Sequence, residues 1–123
     1  MILLPRAVRV YFATAPANLR RSFEGLSNEV RSVLVRDPLS GHVFVFLNRR
    51  RNQVKLLAWT RGGFTIVHKR LERGTFSFPA RVDVAATSVA IDAHELGMLL
   101  EGIDMVHVRA SARWEPPAHA PAT

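Results

Sequence analysis

The chain has 123 residues, of which 48% are hydrophobic, and its 17 Lys and Arg outnumber its 10 Asp and Glu to give a net charge of +7. This length and composition predict one domain with its own core. Because there is no cysteine, disulfides, thiolate zinc sites and cysteine nucleophiles are excluded. No apolar run approaches the roughly 20 residues that span a bilayer, and no secretory signal pattern is present. We therefore expect a cytoplasmic protein.

The first predicted elements are a strand over 7–13 and a helix over 19–35. The strand is rich in β-branched and aromatic residues, and Asn18 has the form of a helix N-cap. Apolar residues then recur at helical spacing from Leu19 to Leu34, and the turn of 37–41, which contains Pro38, ends the helix.

A run of strands joined by short turns follows. Residues 43–47 are apolar on both faces, as in a central strand; 48–52 form a polar hairpin turn; 53–60 and 64–72 form strands on either side of the turn 61–63. We also predict a short strand at 76–78, ended by Pro79. Sequential strands with short connections indicate an antiparallel meander.

The last predicted element is a helix that begins after Asp92. Asp92 and Glu95 have the spacing of a capping box, and Gly102 provides a stop. The predicted fold class is therefore α+β: one antiparallel sheet of about four or five strands, mostly a meander, covered by two helices. We place the domain at 1–108 and a disordered, Pro- and Ala-rich tail at 109–123.

The positive charge is concentrated in one segment. Residues 49–73 contain eight basic residues and one acidic residue, a local excess of +7. Such an uneven distribution of positive charge favours a polyanionic partner, so we predict that the protein binds DNA. The alternatives are that it binds an acidic protein, or that the charge only keeps the protein in solution. The predicted nucleic-acid-binding residues are Arg49, Arg50, Arg51, Lys55, Arg61, Lys69, Arg70 and Arg73.

Two details of the basic residues suggest particular contacts. Three adjacent arginines, 49–51, fall in a turn where burial is not expected, so they are the strongest candidates for surface contact. Arg20 and Arg21 would stand in the first turn of the first helix, where the helix dipole disfavours cations. A bound phosphate would relieve that conflict, which makes both residues candidates for a phosphate contact, although chance placement explains them as well.

The hairpin of 53–72 allows a further prediction about the faces of the sheet. A turn of two or four residues would put Lys55, Trp59, Phe64 and Arg70 on one face. Basic and aromatic side chains that share one face of a sheet can bind a nucleic-acid strand. The alternative, which we favour, is that the aromatic residues belong to the hydrophobic core and that the basic side chains lie at the edge of that core.

No catalytic or cofactor signature is visible. The five histidines are scattered, and none has metal-ligand spacing to a second histidine beside a carboxylate. There is no phosphate-binding loop and no dinucleotide-binding motif. The sequence therefore predicts no enzymatic activity, no cofactor and no metal site.

The order of several blocks resembles one family, the TnpB accessory proteins of IS66-type bacterial insertion sequences. The similar blocks lie within 1–105 and include 8–11, 37–46, 55–59, 69–79 and 99–104. Departures occur at Ala15, Asn18 and Leu19, where the family usually has glycine, aspartate and methionine. The resemblance implies a role in transposition beside a separate transposase that performs the strand transfer. Two hypotheses follow: a DNA-binding accessory protein, or an adaptor that docks on the partner transposase with little DNA contact.

Overall fold

A computed structural model describes residues 8–79 and 85–102 of the chain. In chain order, the elements are β1 (Val10–Ala13), α1 (Phe23–Glu29), a π-helical turn (Val30–Leu34), β2 (Val43–Leu47), β3 (Gln53–Thr60), β4 (Gly63–Arg70), β5 (Ser88–Ile91) and α2 (Ala93–Glu101). The end of the predicted domain and the predicted tail lie outside the described residues. Within them, no helix has the length and apolar character needed to cross a membrane.

The five strands form one mixed sheet in the order β4-β3-β2-β1-β5. The class α+β and the number of strands are confirmed, and β2, β3 and β4 form the predicted antiparallel meander. The prediction of an entirely antiparallel sheet is wrong, because β1 pairs with β2 in parallel. The reason is the connection: a helix between two neighbouring strands returns the chain to the same end of the sheet, so the strands run in the same direction.

Each face of the sheet contributes to its own cluster of buried side chains. Phe44 and Phe46 of β2 belong to a cluster with Leu26 of α1 and with Val30 and Leu34 of the π-helical turn. The alternate residues of β2 belong to a second cluster, which includes Phe76 and, from α2, Leu96 and Leu99. A central strand that is buried on both faces explains why β2 reads as an uninterrupted apolar run.

The first helix is shorter than predicted and begins later. Its N-cap is Ser22, because the backbone from Leu19 to Arg21 forms a separate turn in which the Arg21 N–H donates to the Asn18 carbonyl. At the other end the helix widens into the π-helical turn and stops at Val35, which has a left-handed backbone (φ 53°). The predicted N-cap at Asn18 is therefore wrong, and Arg20 and Arg21 are not in a first helical turn.

The C-terminal part of the described chain follows one prediction and departs from another. The capping box of α2 is present: the Asp92 carboxylate accepts from the Glu95 N–H, the Glu95 carboxylate accepts from the Asp92 N–H, and Gly102 ends the helix in a left-handed conformation. The predicted strand at 76–78 is absent. Its apolar pattern instead reflects burial of Phe76, whose N–H donates to the Arg51 carbonyl. The fifth strand is β5, which pairs antiparallel with β1 and was not predicted.

Candidate nucleic-acid interface

Four arginines from three parts of the chain surround one groove at the end of the sheet. The groove has a volume of about 580 Å³, and we call it the arginine groove; it is lined by Pro16, Ala17, Asn18, Leu19, Arg20, Asn48, Arg49, Arg50, Asn52, Gln53 and Arg70. The lining includes four side-chain amides and no carboxylate. Guanidinium and amide donors without an opposing acid are suited to phosphate oxygens.

The turn between β2 and β3 forms one wall of the groove, and Asn48 fixes its shape. The Asn48 side-chain oxygen accepts from the backbone N–H groups of Asn52 and Gln53, both at 3.0 Å, and its amide nitrogen donates to the Asn52 side chain at 2.7 Å. The Arg51 N–H donates to the Asn48 carbonyl at 3.0 Å. With its backbone held in this way, the turn exposes the side chains of Arg49 and Arg50.

The loop between β1 and α1 forms the opposite wall. The Ala17 N–H donates to the Leu47 carbonyl at 2.9 Å, which fixes the loop beside the end of β2. The Asn18 side-chain oxygen accepts from the Arg20 N–H at 3.0 Å in an Asx turn, and Leu19 is buried. This arrangement leaves Arg20 exposed at the groove, where it makes no ion pair with any described residue.

Arg21, the neighbouring candidate for a phosphate contact, is engaged elsewhere. Its guanidinium donates to the Glu29 carboxylate at 2.7 Å in the one ion pair found among the described residues. Its backbone carbonyl accepts from the Lys55 ammonium at 2.9 Å. Arg21 and Lys55 are therefore used within the protein, and neither lines the groove.

The remaining predicted residues are dispersed. Arg51 is half-buried with its guanidinium 5.1 Å from the ring centre of Phe78, so the expectation that the whole Arg49–Arg51 turn is exposed is wrong. The Lys69 ammonium donates to the Leu100 carbonyl in the last turn of α2. Arg73 is exposed in the bend after β4 and does not line the groove. Of the eight residues predicted from the basic segment, the groove brings together Arg49, Arg50 and Arg70.

Arg61 lies at the far end of the β3–β4 hairpin. The strands pair from Gln53 with Arg70 to Thr60 with Gly63, which leaves Arg61 and Gly62 as a two-residue turn. Eight residues of strand separate this turn from Arg70, a distance of about 25 Å. Both turn residues have positive φ, 48° and 79°, as a type I′ hairpin turn requires. Arg61 therefore cannot act in the groove.

The pairing confirms the predicted distribution of residues between the two faces of the hairpin. Lys55 faces His68, Trp59 faces Phe64, and Gln53 faces Arg70, all on the face of Leu57. The rings of Trp59 and Phe64 meet edge to face at 4.9 Å, and Phe64 packs against a core cluster. Within one chain, the aromatic pair thus lies at the opposite end of the hairpin from the arginine groove.

His68 is a titratable group beside the groove. Its Nε2 lies 2.9 Å from the side-chain oxygen of Gln53, a groove residue. Burial, followed by the charges of Lys55 and Arg70, lowers the pKa of His68 below its ordinary value. The neutral ring can donate to Gln53 and so help to orient that amide toward the groove. Among residues 8–79 and 85–102, no group of three His, Asp or Glu is placed to hold a metal ion.

Sequence reasoning missed the amide residues of the groove. The prediction rested on charge and therefore included only Lys and Arg, whereas Asn48, Asn52 and Gln53 carry no charge. Asn18 was predicted to be a helix N-cap. The signal available was the pair of asparagines that brackets Arg49–Arg51, since asparagine side chains commonly close turns by bonding to nearby backbone groups.

Comparison with known proteins agrees with the similarity noted in the sequence. The family described as "IS66 Orf2 like protein" matches residues 8–110. Two relatives from Sinorhizobium fredii (strain NBRC 101917 / NGR234) are similar over most of their length. The uncharacterized protein y4jC is 34% identical over 109 residues, covering 89% of this chain and 91% of the relative. The uncharacterized protein y4hO is 36% identical over 110 residues, covering 89% and 90%. No solved structure matches the chain.

Proposed function

Because this chain belongs to the IS66 Orf2-like family, we propose that it is a non-catalytic accessory protein of DNA transposition that binds the DNA backbone through the arginine groove. The family description connects the chain with an insertion sequence and agrees with an accessory role. The proposed DNA contact rests on one observation: Arg20, Arg49, Arg50 and Arg70 surround a single groove that contains no acid.

The chemistry of the groove favours the sugar–phosphate backbone over the bases. Guanidinium groups bind phosphate oxygens in pairs of parallel hydrogen bonds, and amides supply further donors. The lining contains no aromatic side chain on which a base could stack. Contacts of this kind hold a nucleic acid in position without distinguishing its sequence. We therefore expect binding to duplex DNA with weak sequence preference.

Salt dependence provides the direct test, because each phosphate contact releases bound counterions. Replacing Arg20, Arg49 and Arg50 together with Gln should make the slope of log affinity against log salt shallower by about 2 to 3. Affinity at physiological salt should fall on the order of 100-fold, equally on unrelated sequences. Arg51 stays unchanged because it packs on Phe78. Fluorescence anisotropy with labelled duplexes at several salt concentrations measures both quantities.

A matched control removes the same charge from outside the groove. Arg9, Arg31 and Arg61 are exposed and do not line it, so their joint replacement with Gln should leave the salt slope within about one unit of the parent. Equal loss in the two triple variants would show that net charge, not the groove, binds DNA. A parent protein that does not bind DNA at low salt would overturn the proposal and favour the adaptor that docks on the transposase.

A further inference from the structure

The outer edge of β4 is a long strand edge that no described residue pairs with. β4 is the terminal strand of the sheet, and its eight residues pair without interruption to β3 on the inner side. The Leu71 N–H donates to the Asn52 carbonyl of the neighbouring strand segment. In an antiparallel pair every second residue bonds to the same neighbour, so the backbone groups of Lys69, Val67, Thr65 and Gly63 also bond to β3. The residues between them, Phe64, Ile66, His68 and Arg70, direct their N–H and C=O groups outward.

Two of the features that usually prevent pairing between sheets, a proline and a bulge, are absent from this edge. Its one lysine, Lys69, is bonded to the Leu100 carbonyl, so its ammonium is drawn toward α2. Thr65, Ile66 and Val67 are β-branched and suited to strand pairing, and Val67 is 39% exposed. At the other end of the sheet, β5 offers an edge of only four residues.

We propose that two copies of the chain associate by antiparallel pairing of their β4 edges into a continuous ten-stranded sheet. Full overlap places the twofold axis at Val67, with Arg70 opposite Phe64, Lys69 opposite Thr65 and His68 opposite Ile66 of the second copy. In this register all eight outward N–H and C=O groups, two from each of four residues, gain partners. In this register no basic residue lies opposite another basic residue, so the pairing avoids direct repulsion between like charges.

The pairing goes beyond the proposed function and does not depend on it, but it would have a consequence for the groove. Phe64 of the second copy would lie opposite Arg70, bringing the Trp59–Phe64 aromatic pair of one copy to the groove of the other. A twofold axis perpendicular to the sheet would also open both grooves on the same side. The two Arg70 positions would lie about 20 Å apart along the strands.

Sedimentation velocity over a range of concentrations, without DNA, tests the association in two matched variants. His68→Pro removes an outward N–H and obstructs an added strand, while the inner bonds to β3 remain. His68→Ala loses the same side chain and keeps the N–H. The parent and His68→Ala should dimerise with constants within about threefold of each other, and His68→Pro should weaken the dimer at least about tenfold. A parent that stays monomeric, or equal behaviour of the two variants, would overturn the proposal.

The register has its own test, because the chain contains no cysteine. A single cysteine from Val67→Cys would meet itself across the axis at a distance suited to a disulfide, whereas Thr65→Cys would lie about 13 Å from its counterpart. Mild oxidation should link Val67→Cys into covalent dimers and leave Thr65→Cys largely unlinked. Equal linking would overturn the register. The Arg20, Arg49 and Arg50 triple variant lies outside β4 and should still dimerise, so failure of DNA binding and failure of pairing can be told apart.

Discussion

Both ends of the β2–β3–β4 meander contain arginine residues, and some of those at one end line the arginine groove. At one end, the turn from Asn48 to Asn52 and Arg70 lie opposite the β1–α1 loop, and four arginines line the arginine groove. At the other end, Arg61 lies in an exposed two-residue turn and does not line the arginine groove. Both ends contain an arginine with a left-handed backbone, Arg51 and Arg61. The comparison shows that the basic turn that lies opposite the β1–α1 loop contributes to the candidate site, whereas the basic turn at the other end does not.

The largest expected difference between the two ends concerns the hydrogen bonds that hold their turns. Asn48→Ala removes the acceptor for two backbone N–H groups and the donor to Asn52, all partly buried. Leaving such groups unsatisfied should lower the free energy of unfolding by about 2 to 3 kcal/mol.

The matched change at the Arg61 end of the meander is Thr60→Ala, which removes an exposed hydroxyl contact with Thr65. It should cost under about 0.5 kcal/mol. Urea denaturation of both variants measures the two values. Equal values would mean that Asn48 does not organise its turn and that the two ends are built alike.

A smaller difference is expected when each left-handed arginine is replaced by glycine. Glycine relieves the backbone strain at both positions, where φ is 58° for Arg51 and 48° for Arg61. Arg51→Gly also loses the contact of its guanidinium with the Phe78 ring, worth about 0.5 to 1 kcal/mol. Arg61→Gly should therefore be the more stable variant by about that amount in thermal or urea unfolding. Equal stability of the two variants, or the reverse order, would show that the Arg51–Phe78 contact does not stabilise the fold.

The smallest expected effect is a dependence of the protein's stability on pH, caused by His68 beside the groove. The pKa of His68 is lowered in the folded state, mainly by burial and also by the charges of Lys55 and Arg70. The unfolded chain therefore binds a proton at this position more readily, and the contribution to stability is full above the ordinary pKa of 6.5 and is lost as the pH falls below it.

Melting temperatures at pH 7.5 and 5.5 test this effect in the parent and in His68→Gln. The parent should lose slightly more stability on acidification, since the variant keeps a polar side chain that does not titrate. The other four histidines of the chain are present in both proteins, so the comparison isolates the effect of His68. An identical loss of stability in the two proteins would show that His68 does not contribute to the dependence of stability on pH.

The sequence by itself determined the local elements whose signals are short in range. An uninterrupted apolar run predicted β2, and the turns on either side predicted β3 and most of β4. Alternation along the hairpin predicted which residues share a face, and the Asp92–Glu95 spacing predicted the capping box of α2. These features depend on neighbouring residues, so a reading along the chain can find them. The concentration of charge in 49–73 was likewise visible, and it contains three of the four arginines of the groove.

The tertiary structure alone decided which charged residues lie together. Arg20 joins Arg49, Arg50 and Arg70 because the β1–α1 loop bonds to the end of β2, a contact between distant parts of the chain. Contacts in the folded chain also direct Lys69 to α2, Arg51 to Phe78 and Arg21 to Glu29. The tertiary structure also makes β1 and β2 parallel neighbours. A linear count of charge cannot separate these roles, because bases adjacent in sequence point to opposite faces of a strand and meet different partners there.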